Sequence, residues 1–185
     1  LNTNAIIENH IEVFSLAGDL AQIMHQYGFE ISRLNIGGGF GIPYFEGERS
    51  LCLNEISTNL QHLMDTRQQH LKRAEIVIEL GRYLVAEAGI YLCQITDIKT
   101  SRGTDFLLTN GGMHHHLANS GNFGQLIRRN YPTLIANILE SADLKEVEIV
   151  GPLCTPLDIV ASKVKLPTAQ VGDYIAILQS GAYGA

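Results

Sequence analysis

Two different rhythms of apolar residues divide the chain. In the first part Val13, Ala17, Leu20, Met24 and Tyr27 recur at helical spacing, and Gly28 follows as a stop signal. Residues 31–36 form a short, mostly apolar run that ends abruptly in Gly37-Gly38-Gly39, the pattern of a buried strand entering a loop. A second helix is expected from Asn54, a good N-cap residue, with Glu55 in its first turn and Ile56, Leu60 and Leu63 as its apolar stripe. Residues 75–79, centred on Ile76-Val77-Ile78, read as another buried strand. Helix and strand alternating, with glycine-rich strand exits, predicts parallel α/β architecture. Two parallel strands cannot satisfy their own edges or bury both faces, so this half is expected to belong to a larger sheet or barrel.

Past Tyr91 the pattern shortens. Residues 92–99, 105–109, 146–150 and 174–178 are strand-like runs separated by turn residues. Thr100-Ser101-Arg102-Gly103-Thr104 reads as a hairpin connection, and Gly172-Asp173 precedes the last run. Within residues 117–141 a helix is expected around 134–139, with Pro132 and the Ser120-Gly121-Asn122 loop interrupting the stretch. The change falls near residues 88–92. It predicts an α/β part over 1–90 and a mainly β domain over 91–185.

Composition narrows the class. A chain of 185 residues with 45% apolar and 17% charged residues buries a core rather than staying disordered. A net charge of −6 argues against nucleic acid or an anionic membrane as partner. No apolar run approaches the roughly 20 residues that cross a bilayer. The start, Leu1-Asn2-Thr3-Asn4, has no signal-peptide pattern and no initiator methionine, so the chain is expected to continue upstream. Cys52, Cys93 and Cys154 are an odd, scattered set without a Cys-x-x-Cys pair, which fits reduced thiols and a cytoplasmic protein.

Several residues carry candidate chemistry, each beside a plainer reading. Gly37-Gly38-Gly39 with Gly41 lets backbone N–H groups approach an anion; alternatively it is a tight strand-to-helix turn. The spacing matches neither a dinucleotide fingerprint nor a P-loop. Glu79 leaves the apolar strand 76–78 either as a surface strand-end residue or as a placed carboxylate. Arg82 could grip a phosphate or carboxylate, or simply start a helix near Glu87. Cys154 follows Gly151-Pro152-Leu153 in a loop expected to be exposed, whereas Cys52 and Cys93 read as small buried hydrophobes. In an extended His114-His115-His116 only the outer two could share a metal, and no Cys or carboxylate stands at ligand spacing, so no metal is expected.

Taken in order, Gly37-Gly38-Gly39, Glu79-Leu80-Gly81-Arg82, Gly151-Pro152-Leu153-Cys154-Thr155-Pro156-Leu157-Asp158 and Ser180-Gly181-Ala182-Tyr183-Gly184 resemble the ornithine and diaminopimelate decarboxylase family. These are pyridoxal-phosphate-dependent enzymes of the alanine-racemase-like fold, fold type III. The resemblance runs from about Leu34 to Ala185 and implies the C-terminal part of a (β/α)8 barrel followed by a mainly β domain, expected to be incomplete. It implies pyridoxal 5'-phosphate as cofactor, an amino-acid substrate, and a homodimer with shared active sites. Carried over, Gly37, Gly38, Gly39, Gly81, Arg82 and Tyr183 hold the cofactor phosphate, and Glu79 pairs with the ring nitrogen. Cys154 reaches into the partner's site as a proton donor. Asp158 closes the motif without a catalytic role.

Three departures shape the expectation further. Leu80 stands where the family has proline. Thr155 replaces the acid that recognises the far amino group of a diamino acid, which weakens a diamine substrate; with the Gly111-Gly112-Met113-His114-His115-His116 run it resembles the subgroup acting on carrier-linked or specialised amino acids. The family's cofactor-bearing lysine and its ring-stacking histidine lie upstream; Lys72, Lys99, Lys145, Lys163 and Lys165 match neither motif. The piece alone is therefore expected to be inactive, and the intact protein to be a decarboxylase. Two alternatives stay open: a non-catalytic homologue that regulates an active relative by dimerising with it, and an amino-acid racemase on the same scaffold. Glu79 counts against the racemase, because alanine racemases place an arginine at the ring nitrogen.

Overall fold

The structure, a computed structural model, describes residues 2–45, 47–121, 128–140 and 142–184. It divides into two compact units. One comprises Leu1–Pro43 with Arg49–Tyr83, the other Tyr44–Glu48 with Leu84–Ala185.

The first unit opens on helix α1 (Thr3–Gln26), capped by the Asn2 side chain, which accepts from the Ala5 N–H at 2.9 Å. Its buried positions are Ile6, His10, Phe14, Ala17, Gly18 and Ala21. That face is rotated from the one the periodicity marked, and Leu20 and Tyr27 are exposed. The helix ends as expected, with Gly28 at φ +82 donating its N–H to the His25 carbonyl. Strand β1 (Arg33–Asn35) pairs in parallel with β2 (Glu75–Val77). Helix α2 (Leu53–Thr66) is capped by Cys52 rather than Asn54 and has no side-chain cap bond. The Cys52 N–H is held at 3.0 Å by the Thr3 hydroxyl, which starts the helix two residues earlier than local propensity suggests. Ala17, Ala21, Leu71 and Ala74 form one apolar cluster, and Ile6, Phe40 and Ile56 another.

His10 is fully buried beside Phe40, with ring centroids 6.0 Å apart, and neither ring nitrogen has a hydrogen-bond partner. Burial holds this imidazole, and that of His116, below the ordinary histidine value. A base whose pKa falls on folding takes up protons when the chain unfolds. Its contribution is fully present above about pH 6.5 and is lost as pH falls through that value toward the folded one. Urea midpoints should therefore drop between about pH 7 and pH 5, before most carboxylates titrate. His10→Leu should flatten that drop; a variant that loses stability in parallel with the parent would show that His10 contributes none of it.

The second unit is a six-stranded sheet in the order β5-β8-β3-β4-β6-β7. Its strands are β3 (Tyr91–Ser101), β4 (Thr104–Thr109), β5 (Thr133–Ile135), β6 (Leu144–Val150), β7 (Ile159–Pro167) and β8 (Tyr174–Ile177). Every pairing is antiparallel except β4 with β6. The expected hairpin joins β3 to β4 through Arg102 (φ 52) and Gly103 (φ 80), two positive angles that match the twist of the flanking strands. Cys93, Ile95, Leu107, Ile135, Ile149, Val160, Ile175 and Ile177 are buried.

One expectation is corrected here, and one strand is new. Residues 134–139 are not a helix. Thr133, Leu134 and Ile135 pair with Ile177, Ala176 and Ile175, and a bridge joins Ile135 to Ile138. The spacing of Leu134, Ile135, Ile138 and Leu139 resembles a helix stripe, but an open edge of β8 offers the backbone a better partner. Strand β7 has no counterpart in the sequence reading. Lys163 sits at φ 51 beside a register shift, which breaks the period-two alternation that would reveal the strand. The Glu148 carboxylate accepts from the Ser162 hydroxyl at 3.0 Å and the Lys163 N–H at 3.3 Å, satisfying the irregular backbone. Asn122, at the end of the expected 120–122 loop, lies outside the described residues. No helix among the described residues is long and apolar enough to cross a membrane.

Candidate cofactor and proton-transfer residues

In the first unit Gly37, Gly38 and Glu79, three of the expected site residues, meet where β1 and β2 end side by side. The ladder continues past both strands. The Ile36 N–H reaches the Val77 carbonyl at 3.0 Å, and the Glu79 N–H reaches the Gly37 carbonyl at 2.8 Å. The glycine turn and Glu79 are thus locked together by backbone. A side chain ties them a second time: Asn35 Nδ2 donates to Glu79 Oε1 at 2.6 Å, while Asn35 Oδ1 accepts from the Gly37 N–H at 2.8 Å. Asn35 escaped the sequence reading, although a polar residue near the end of an apolar run, two places before Gly37, was its visible signal.

The glycines differ in what surrounds them. A Cβ on Gly38 would lie 2.0 Å from the Glu79 carbonyl oxygen, so only glycine permits this approach. Gly37 and Gly81 face open space, with nothing within 4 Å of an added Cβ. Glu79, Gly81 and Arg82 are exposed, and Arg82 begins the four-residue helix α3 (Arg82–Val85). The open space beside Gly37 and Gly81 leaves their backbone accessible to an anion, with the Glu79 carboxylate on the neighbouring strand end.

In the second unit Cys154 is the exposed cysteine, Cys93 is buried and Cys52, in the first unit, is half-buried. Burial pushes the Cys93 thiol up to about 11. Cys154 sits at the centre of a tight turn, because the Thr155 N–H donates to the Leu153 carbonyl at 2.8 Å. Tyr183 is exposed and holds a left-handed φ of 62.

The histidine triplet lies in a turn rather than an extended segment: the N–H groups of His115 and His116 both reach the Gly112 carbonyl at 3.0 Å. Tyr91 OH shares a 3.0 Å hydrogen bond with His115 Nδ1, and His116 Nε2 another with Ser180 Oγ. Burial, with smaller contributions from Cys93 and Asp158, raises the Tyr91 phenol to about 12. These four side chains, with Ile90 and Gly184, line a cavity of about 270 Å³. No group of three or more His, Cys, Asp or Glu that could hold a metal occurs among the described residues.

Residues 15–181 match the family model for the pyridoxal-dependent decarboxylase, C-terminal sheet domain. The chain belongs to this family. It is 37% identical to the L-glutamyl-[BtrI acyl-carrier protein] decarboxylase of Niallia circulans over all of this chain and 43% of that protein. Diaminopimelate decarboxylase of Staphylococcus aureus (strain COL) is 35% identical over 86% of this chain and 38% of that protein. Among solved structures, diaminopimelate decarboxylase from M. jannaschii in co-complex with L-lysine superposes with a TM-score of 0.77. It is 25% identical over 99% of this chain and 40% of that one. The chain thus spans about two fifths of the length of these decarboxylases. The six-stranded unit agrees with the family's sheet domain.

Proposed function

We propose that the protein is a pyridoxal-phosphate-dependent amino-acid decarboxylase, of which residues 1–90 supply part of a cofactor-binding β/α barrel and residues 91–185 the sheet domain. One observation carries this reading most directly. Glu79 leaves β2 beside the glycine turn, held there by Asn35 at 2.6 Å, which supports a carboxylate for the cofactor's ring next to backbone donors for its phosphate.

The cofactor supplies the electron sink that makes loss of CO2 from an amino acid feasible. The chain's own residues bind and protonate. Glu79 stabilises a protonated ring nitrogen by opposite charge. The N–H groups of the glycine turn and of Gly81, with Arg82, take the phosphate. Cys154, presented to the partner subunit of a homodimer, returns a proton to the substrate Cα after CO2 departs. Three free cysteines suit a cytoplasmic setting. Thr155 offers no carboxylate to a distal ammonium group. Together with the likeness to a decarboxylase named for a carrier-linked glutamyl substrate, this favours an amino acid attached to a carrier protein.

The test is intact mass of the full-length protein incubated with pyridoxal phosphate and reduced with borohydride. One covalent adduct on a lysine upstream of this chain is the expected result. A folded protein that takes up no adduct would overturn the decarboxylase reading in favour of the non-catalytic homologue.

A further inference from the structure

We infer that Asp158 is the positioning residue of Cys154, clamping the loop that carries the thiol to the loop that carries the histidines. This rests on the reading of Cys154 as the proton donor.

Asp158 is 2% exposed, and both carboxylate oxygens are used by backbone. Oδ1 accepts from the Met113 N–H at 2.6 Å, and Oδ2 accepts from the Leu153 N–H at 2.8 Å. The same residue closes its own loop. Its carbonyl accepts from the Gly151 N–H at 2.9 Å, and its N–H donates to the Thr155 carbonyl at 3.3 Å. The residue before Cys154 is therefore fixed through its N–H by Asp158 and through its carbonyl by the turn from Thr155. The thiol sits between two anchored peptide groups. Glycine is required on both sides of the carboxylate: a Cβ on Gly112 or on Gly151 would lie 2.3 Å from an Asp158 oxygen. The Gly-Gly before the histidines and the Gly-Pro before the cysteine are thus two halves of one packing solution.

An ionised carboxylate accepts from both N–H groups, whereas an amide offers one oxygen and turns its NH2 toward the other donor. Asp158→Asn in full-length holoenzyme should therefore free one loop at nearly constant volume. The expected result is a kcat about tenfold lower with KM within about twofold, and solvent deuterium scrambled between the two Cα positions of the product. On a Cys154→Ala background the same substitution should cost less than about twofold, because Asp158 acts through the thiol. An equal loss on both backgrounds would overturn the inference.

Cys154→Ala with unchanged kinetics would retire the proton-donor reading alone. The clamp is then judged by iodoacetamide alkylation of Cys154 relative to Cys52. A change of about threefold or more in Asp158→Asn supports it, and an unchanged ratio refutes it. Should the variant not fold, hydrogen exchange in the parent protein decides. Slow exchange of both the Met113 and Leu153 amides is expected, and exchange of either at the rate of an open loop rules the clamp out.

Discussion

Glu79→Ala in the full-length protein is expected to lower kcat for decarboxylation by about a hundredfold or more, the scale on which losing one preorganised electrostatic group acts. Glu79 is not an isolated surface acid. Its carboxylate accepts from Asn35 at 2.6 Å, its N–H is bound to the Gly37 carbonyl, and Asn35 in turn holds the Gly37 N–H. The side chain that would sustain the ring charge is thereby held in register with the turn that would hold the phosphate. Glu79→Gln separates the two contributions. It keeps an oxygen for Asn35 but removes the negative charge, so it should cost nearly as much in kcat while leaving the unfolding midpoint close to the parent. Steady-state turnover near normal in either variant would remove Glu79 from the mechanism.

Gly38→Ala is expected to weaken cofactor binding by about tenfold or more and to destabilise the first unit by about 2 kcal/mol, the usual scale of overpacking. The obstacle is backbone, not a side chain that can swing away. The new methyl would meet the Glu79 carbonyl oxygen at 2.0 Å, so the glycine turn and the end of β2 must part. Parting them breaks the 2.8 Å bond from the Glu79 N–H to the Gly37 carbonyl. Gly81→Ala is the control for stability alone, since a Cβ there meets nothing within 4 Å and the fold should accept it. Absorbance titration with pyridoxal phosphate and urea unfolding read the two effects. A Gly38→Ala protein with parental affinity and midpoint would show that the turn can relax without cost.

What the sequence determined by itself was local. The glycine turn, the acid at the strand end, the hairpin at Arg102-Gly103 and the exposed cysteine after Gly-Pro each depend on a few neighbouring residues whose conformational or chemical limits are intrinsic. Their order along the chain was enough to show the family resemblance. Tertiary structure decided the rest, because the partners are far apart in sequence. Asn35 finds Glu79 across 44 residues, and Met113 finds Asp158 across 45. The edge of β8 turns a helix-like spacing at 134–139 into strand β5. Glu148 satisfies the irregular backbone at Lys163 that hides β7 from a period-two reading. A carboxylate at the end of an apolar run is visible in one dimension. Whether it lies idle at the surface or is held beside a glycine turn depends on which strand pairs with it, and only the folded sheet specifies that.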